Sequence, residues 1–238
     1  MTNPVQTLAR PLAARVANLP APDDTVVRAD VPERVAKAAV QAMADGHTHY
    51  TDRPGILPLR EYAVRFLKER FEVEYGAGDV TITCGATEAR FVALKLLVKP
   101  GTTIICPDGL PEVHAAGVLL GALVVSGEAG VSGDAVVVLS AASDLSTIAR
   151  LTQVADSNGW WVVFDTSGAA SMHPAQREAL APRVVSIGSL SSALPGWRVG
   201  WMAGSSMAGK LRAYKQSMTI CTTSVSQWAA LGITEGEG

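Results

Sequence analysis

Histidine and cysteine are scarce in this sequence, and neither is spaced to hold a metal. The three cysteines, Cys84, Cys106 and Cys221, are scattered and odd in number. They form no disulfide framework and read as reduced thiols in apolar surroundings, as in a cytoplasmic protein. Among the four histidines, His47 and His49 stand two apart in a loop, while His114 and His173 stand alone. Solvated or capping roles follow, and no metal site is expected. Long apolar runs are also missing. The longest, residues 115–125, is too short to cross a bilayer, and Glu128 follows it closely. The first residues lack the continuous apolar stretch of a secretory leader. Charge is nearly balanced, with 20 Lys and Arg against 22 Asp and Glu. That balance gives no reason to expect nucleic acid or an acidic membrane as partner.

What is present is a globular composition, 48% hydrophobic and 18% charged over 238 residues, enough for one α/β domain. The Pro- and Ala-rich residues 1–30 read as an N-terminal arm, and residues 31–238 as the domain proper. Asp30 is placed to cap a first helix that has Pro32 in its first turn, Gly46 past its end, and Val35, Ala39, Ala42 and Met43 on one face. A second helix is expected over 59–71. From there β-branched runs at 80–84, 103–106, 122–126, 135–139, 160–165, 184–187 and 198–202 alternate with helical stretches at 86–98, 110–120 and 145–158. In the third of these helices Ser143 is the expected cap and Gly159 the stop. Two further helices, 206–217 and 224–231, follow. The alternation predicts a mostly parallel seven-stranded sheet between helical layers. Ligands of such sheets bind outside the carboxyl ends of the strands.

Three segments at such ends carry polar or small residues. In CGATEARFVAL, a strand runs through Gly85, Ala86 and Thr87 straight into a helix. Free N–H groups and the positive end of the helix dipole could receive a phosphate there, or the small residues could simply permit a tight turn. Asp165 ends the apolar run WWVVFD, where a carboxylate faces the crevice or caps the next turn. In GSLSSALPGWRVGW, Ser189, Ser191 and Ser192 precede a Pro-Gly corner and Arg198. Such a set can hold a phosphate dianion, or it can be a polar loop with a structural arginine. Ser140 and Ser143 stand where an active-site loop would lie, but no base is marked for them.

Taken together and in order, these segments resemble the fold-type I pyridoxal-phosphate (PLP) enzymes, specifically the class I and II aminotransferases. YTDRPGILPLREYA is similar to the family's segment Y-T-x-x-x-G-[IL]-x-x-L-R-x-A. VTITCGATEARFVALKLLVKPGTTIICP is similar to its strand, phosphate loop, helix and second strand. WWVVFD, GSLSSALPGWRVGW and QWAAL resemble the cofactor-aspartate strand, the lysine loop and the interface helix. The likeness spans about residues 25 to 232. It implies that Asp165 pairs with the pyridinium nitrogen and that Ala86, Thr87, Ser189 and Arg198 hold the phosphate. It further implies a homodimer in which Tyr50 reaches across the interface to the neighbour's phosphate.

The departures from the family pattern are concentrated in its chemistry. The Schiff-base lysine is replaced by Ser192 or excised beside it, because Gly196 arrives two residues early. VVVLSAASDLSTIA carries no Asn-Pro-x-Gly signature, Gly168 stands in place of the ring tyrosine, and Leu110 is nearest to the ring-stacking aromatic. The C-terminal small domain, with its substrate-binding arginine, is expected to be absent. Transamination needs an amine that bonds the cofactor and shuttles a proton, and a hydroxyl at 192 can do neither. The expectation is an aminotransferase-like pseudoenzyme with a binding or regulatory role, in which PLP is held weakly or not at all. Two alternatives stay open. One is a PLP enzyme that holds its cofactor without a covalent bond; the other is a crevice recruited for chemistry on a small phosphorylated ligand.

Overall fold

The computed structural model describes residues 31–190 and 195–234. The expected arm 1–30, which includes Asp30, and Ser191 and Ser192 lie outside the described residues; Pro32, expected in the first turn of the first helix, instead stands at the position before it, with no side-chain cap. Among the described residues seven α-helices and seven strands follow in the expected sequence. They are α1 (Glu33–Ala44), α2 (Leu57–Phe71), β1 (Val80–Thr83), α3 (Gly85–Leu97), β2 (Thr103–Ile105), α4 (Pro111–Leu120), β3 (Leu123–Val125), β4 (Ala135–Ser140), α5 (Leu145–Asn158), β5 (Trp161–Asp165), β6 (Val184–Ser189), β7 (Gly200–Ala203), α6 (Ala208–Thr219) and α7 (Ser224–Thr234).

Local chemistry explains the boundaries. In α2, Pro58 sits in the first turn, Leu59, Ala63, Leu67 and Phe71 share one buried face, and Glu72 ends the helix in a left-handed conformation. α5 stops at Gly159, also left-handed at φ 69°. Its cap is Asp144 and not Ser143: the Asp144 carboxylate accepts from the Thr147 N–H at 2.8 Å. On α1, Val35, Ala39 and Ala42 are buried as expected, but Met43 points outward, 51% exposed.

The strands form one sheet in the order β1-β7-β6-β5-β4-β2-β3. Strands β3, β2, β4, β5 and β6 pair in parallel. β7 runs antiparallel to both β6 and β1, so the sheet is mixed, with one reversed strand. Buried runs such as AVVVLS in β4 send alternate side chains to opposite faces. Val137, Leu139, Val162 and Phe164 pack with α2 and α5. Val136, Val138, Val163 and Ile187 pack with α3, α4 and α6. Beside this sandwich α1 crosses α7 through Val35, Ala39, Ala229 and Ile233.

Gln227 of α7 is fully buried and ties the α1–α2 loop down. Its carbonyl accepts from the Ile56 N–H at 2.9 Å, and its amide donates to Thr51 Oγ1 and to the Thr222 carbonyl. Trp228 stacks on His47 with ring centroids 4.0 Å apart, and Ala229 is buried. The apolar residues of this helix are therefore largely covered within the chain. Among the described residues no helix is long and apolar enough to cross a membrane.

Candidate functional site

Because only β7 is reversed, the carboxyl ends of β1, β2, β4, β5 and β6 meet the amino end of β7 along one edge of the sheet. Register fixes the neighbours. Thr83 and Ser189 both face Gly200 across their strand pairs, and Ser140 pairs with Asp165. The loops after these residues therefore converge.

At one end of this edge α3 begins at Gly85, whose φ is +75° and whose missing Cβ would lie 2.6 Å from Arg198 Nη2. Only glycine lets the guanidinium lie so close to the helix start. Arg198 donates to the Cys84 carbonyl at 3.5 Å, while the Cys84 N–H donates to Glu88 at 2.6 Å. Arg198 itself adopts a left-handed φ of 53°, a conformation that costs a bulky residue about 1–3 kcal/mol. It thus precedes strand β7 and does not begin it, as the sequence had suggested. Ser189 Oγ donates to the Val199 carbonyl at 3.4 Å. Ala86 and Thr87 occupy the first turn of α3, Ala86 half-buried and Thr87 exposed. Arg198, Ser189 and the α3 terminus are thus brought to one edge.

The centre of the crevice holds a contact that the sequence reading missed. Asp165, at the end of β5, is 6% exposed, and its Oδ2 accepts from Arg90 Nη2 at 2.6 Å. The other Arg90 amino group donates to Glu112 at 3.1 Å. Asp165 Oδ1 accepts from the Ser167 N–H at 2.9 Å. Helical periodicity held a signal for Arg90: it lies on the α3 face that carries Ala93, Leu94 and Leu97, all buried. A lone arginine on such a face needs a buried acid.

Asp108 marks a second polar group. Its Oδ2 accepts from Ser143 Oγ at 2.6 Å and from Ser140 Oγ at 3.2 Å. This is a carboxylate partner for both serines, yet without the imidazole that would turn a hydroxyl into a nucleophile. Beside it the chain after β5 folds back onto the loop after β4. Ala170 N–H donates to the Ala141 carbonyl at 2.8 Å, and Arg70 donates to the Gly168 carbonyl. A Cβ on Gly168, at φ +136°, would lie 2.1 Å from the Ala141 carbonyl carbon. No side chain fits at that position.

None of the six lysines stands at Asp165. Lys37 and Lys68 pair with Glu33 and Glu74 on the surface. Lys95 is exposed on α3, and Lys99 and Lys210 line a cavity with Thr102, Asp134 and Trp160 at the opposite end of the sheet. Lys215, 0% exposed, donates to Thr219 at 3.0 Å and lies 3.9 Å from Glu88. Burial lowers its pKa, against the opposing pull of Glu88, Cys221 and Cys84.

Tyr50, 68% exposed, is edge-on to His49 in a cavity shared with His47, Ser224 and Trp228, and neither Asp165 nor Arg198 lines that cavity. Of the cysteines only Cys106 is buried; Cys84 is exposed and Cys221 intermediate, so the apolar reading of the thiols fails for two of three. His173 does cap a turn, with Nδ1 accepting from the Ala175 N–H, but it is buried and not solvated. Among the described residues no group of three or more His, Cys, Asp or Glu could hold a metal ion.

Comparison with known proteins agrees with this architecture. The family model for aminotransferase class I and II matches residues 140–238. An aspartate aminotransferase of Pyrococcus horikoshii is 37% identical over 79 residues, 33% of this chain and 20% of that protein. An aspartate aminotransferase of Thermotoga maritima is 25% identical over 86% of this chain. The chain spans 63% of the length of that relative. The crystal structure of an aromatic aminotransferase from Pyrococcus horikoshii superimposes with a TM-score of 0.81 at 19% identity, covering 95% of this chain and 71% of the other. In motif order, sheet topology and sequence, the chain is similar to the class I and II aminotransferases.

Proposed function

We propose that this aminotransferase-like chain lacks transaminase activity and that its crevice serves a binding or regulatory role. The observation that carries the reading is the absence of an amine at Asp165, with each of the six lysines engaged elsewhere or placed away from it. Without that amine no covalent bond to the cofactor aldehyde forms and no base is held over the substrate α-carbon. The residues present do not fit PLP in other respects either. Asp165 is already paired with Arg90, and the backbone at Gly168 has no room for a ring-oxygen partner. The ligand class that the placement of Arg198 against Gly85 favours is a small phosphorylated molecule.

A homodimer is the assembly this reading favours. Val40, Met43, Tyr50 and Leu57, on α1, the following loop and α2, are 62%, 51%, 68% and 46% exposed. An apolar surface of this kind is one that a two-fold contact buries. Free thiols at Cys84, Cys106 and Cys221 fit a reducing, cytoplasmic setting.

The test is an assay of purified protein supplied with PLP and with common amino and keto acid pairs. No turnover is expected. Turnover that follows the protein through successive purification steps overturns the reading.

A further inference from the structure

Resting on that reading, we propose that Arg90 decides which ligands the crevice takes: its guanidinium satisfies Asp165 in place of a ring nitrogen, so the crevice does not select a protonated pyridine.

The argument begins with position. Arg90 lies one turn beyond Ala86 on the same face of α3, and long helical side chains lean back toward the helix N-terminus. An arginine at 90 therefore reaches the carboxyl end of β5, which a short apolar residue could not. There it meets Asp165 at 2.6 Å. Both members of the pair are 6% exposed, so the contact is made away from bulk water, where an ion pair is screened least.

Both oxygens of Asp165 already accept a hydrogen bond. Oδ2 is held by Arg90 and Oδ1 by the Ser167 N–H. A ring N–H would have to compete with the guanidinium for this carboxylate, and the guanidinium has little alternative. Among the described residues its Nε has no hydrogen-bond partner, and the buried cation is held by Asp165 and Glu112. Displacement would leave a buried positive charge without its principal acid. An aromatic phosphate ester without a basic nitrogen makes no demand on this pair, and so loses nothing by comparison.

Isothermal titration with two probes tests the proposal. Pyridoxamine 5′-phosphate carries a ring nitrogen; benzyl phosphate presents a phosphate ester on an aromatic ring without one. Wild-type protein is expected to bind the two within about threefold of each other, since neither gains from Asp165. Arg90→Leu, with its fold checked by circular dichroism, frees the carboxylate. It should then prefer pyridoxamine 5′-phosphate over benzyl phosphate by about tenfold or more, the effect of one new charge-assisted hydrogen bond. Arg90→Lys keeps a cation and should keep the wild-type ratio.

A wild-type preference for the pyridine probe of about tenfold or more overturns the proposal, and this measurement stands even where Arg90→Leu does not fold. An unchanged ratio in folded Arg90→Leu overturns it, as does failure of every variant to bind either probe. None of these readings involves turnover, so the role of Arg90 and the absence of transaminase activity stand or fall separately.

Discussion

Acid should destabilise this protein through a single buried imidazole. His173 is 1% exposed and sits edge-on to Phe164, with ring centroids 4.5 Å apart. Its Nδ1 accepts from the Ala175 N–H, so the proton resides on Nε2, which donates to Ser186 Oγ at 3.0 Å. Ser186 Oγ is also 3.0 Å from the Tyr75 hydroxyl. Burial pushes the His173 pKa from 6.5 down to about 3 and that of Tyr75 up to about 12. In the unfolded chain the imidazole takes up a proton below pH 6.5; in the folded chain it stays neutral to about pH 3. Its contribution is therefore present in full above pH 6.5 and is lost progressively as pH falls toward 3. Each pH unit inside that window removes a little over 1 kcal/mol, so lowering pH from 7 to 5 should cost about 2 kcal/mol from this residue alone. Urea unfolding at both pH values checks this in wild type and in His173→Asn, whose side-chain oxygen can still accept from Ala175. The wild type should lose about 2 kcal/mol more than the variant over that interval. Equal losses in the two proteins would refute the assignment of a neutral buried histidine.

Gly168→Tyr should destabilise the fold by about 3 kcal/mol or more, because the new Cβ meets the Ala141 and Ala142 backbone at a φ that side chains avoid. Denaturant titration showing a loss below about 1 kcal/mol would contradict the packing described. Gln227→Ala strips partners from the Ile56 N–H and the Thr222 carbonyl and should cost about 2–4 kcal/mol, again read by denaturant; a neutral effect would show that water replaces the amide. Light scattering at micromolar protein should give a dimer mass, and Met43→Lys should weaken it because position 43 lies on the exposed apolar face of α1. A monomer mass for wild type would refute the two-fold contact.

Much of the fold was legible because it rests on local pattern. Doubly buried strands read as unbroken apolar runs, as in residues 136–139 and 162–164, and helix stops such as Gly159 announce themselves. The reversal of β7 was legible too, though it was not read. Residues 190–199 are too few for the helical crossover that a parallel strand needs, and an antiparallel return is what so short a connection permits. Ser143 and Asp144 are adjacent caps that propensity cannot separate; the outcome depends on the Asp108 carboxylate, which takes the Ser143 hydroxyl from across the sheet edge. The site divides in the same way. Asp165 and Ser189 could be singled out because each ends a strand at the crevice edge, and Arg198 because it stands just before one. The partner of Asp165 lies 75 residues away on α3, and only the crossing of that helix over β5 joins them. The collapse of the Gly168 loop onto Ala141 likewise depends on two loops meeting in space.

The central claim is the proposal that this aminotransferase-like fold carries a crevice unable to bond PLP. Purified wild-type protein should be mixed with excess PLP, reduced with borohydride, and its tryptic peptides examined by mass spectrometry alongside a heat-denatured control. The account predicts no single lysine enriched for pyridoxyl in the folded protein over the control. Stoichiometric reduction onto one lysine of the folded chain, with Lys215 the residue to watch because burial lowers its pKa, would contradict it.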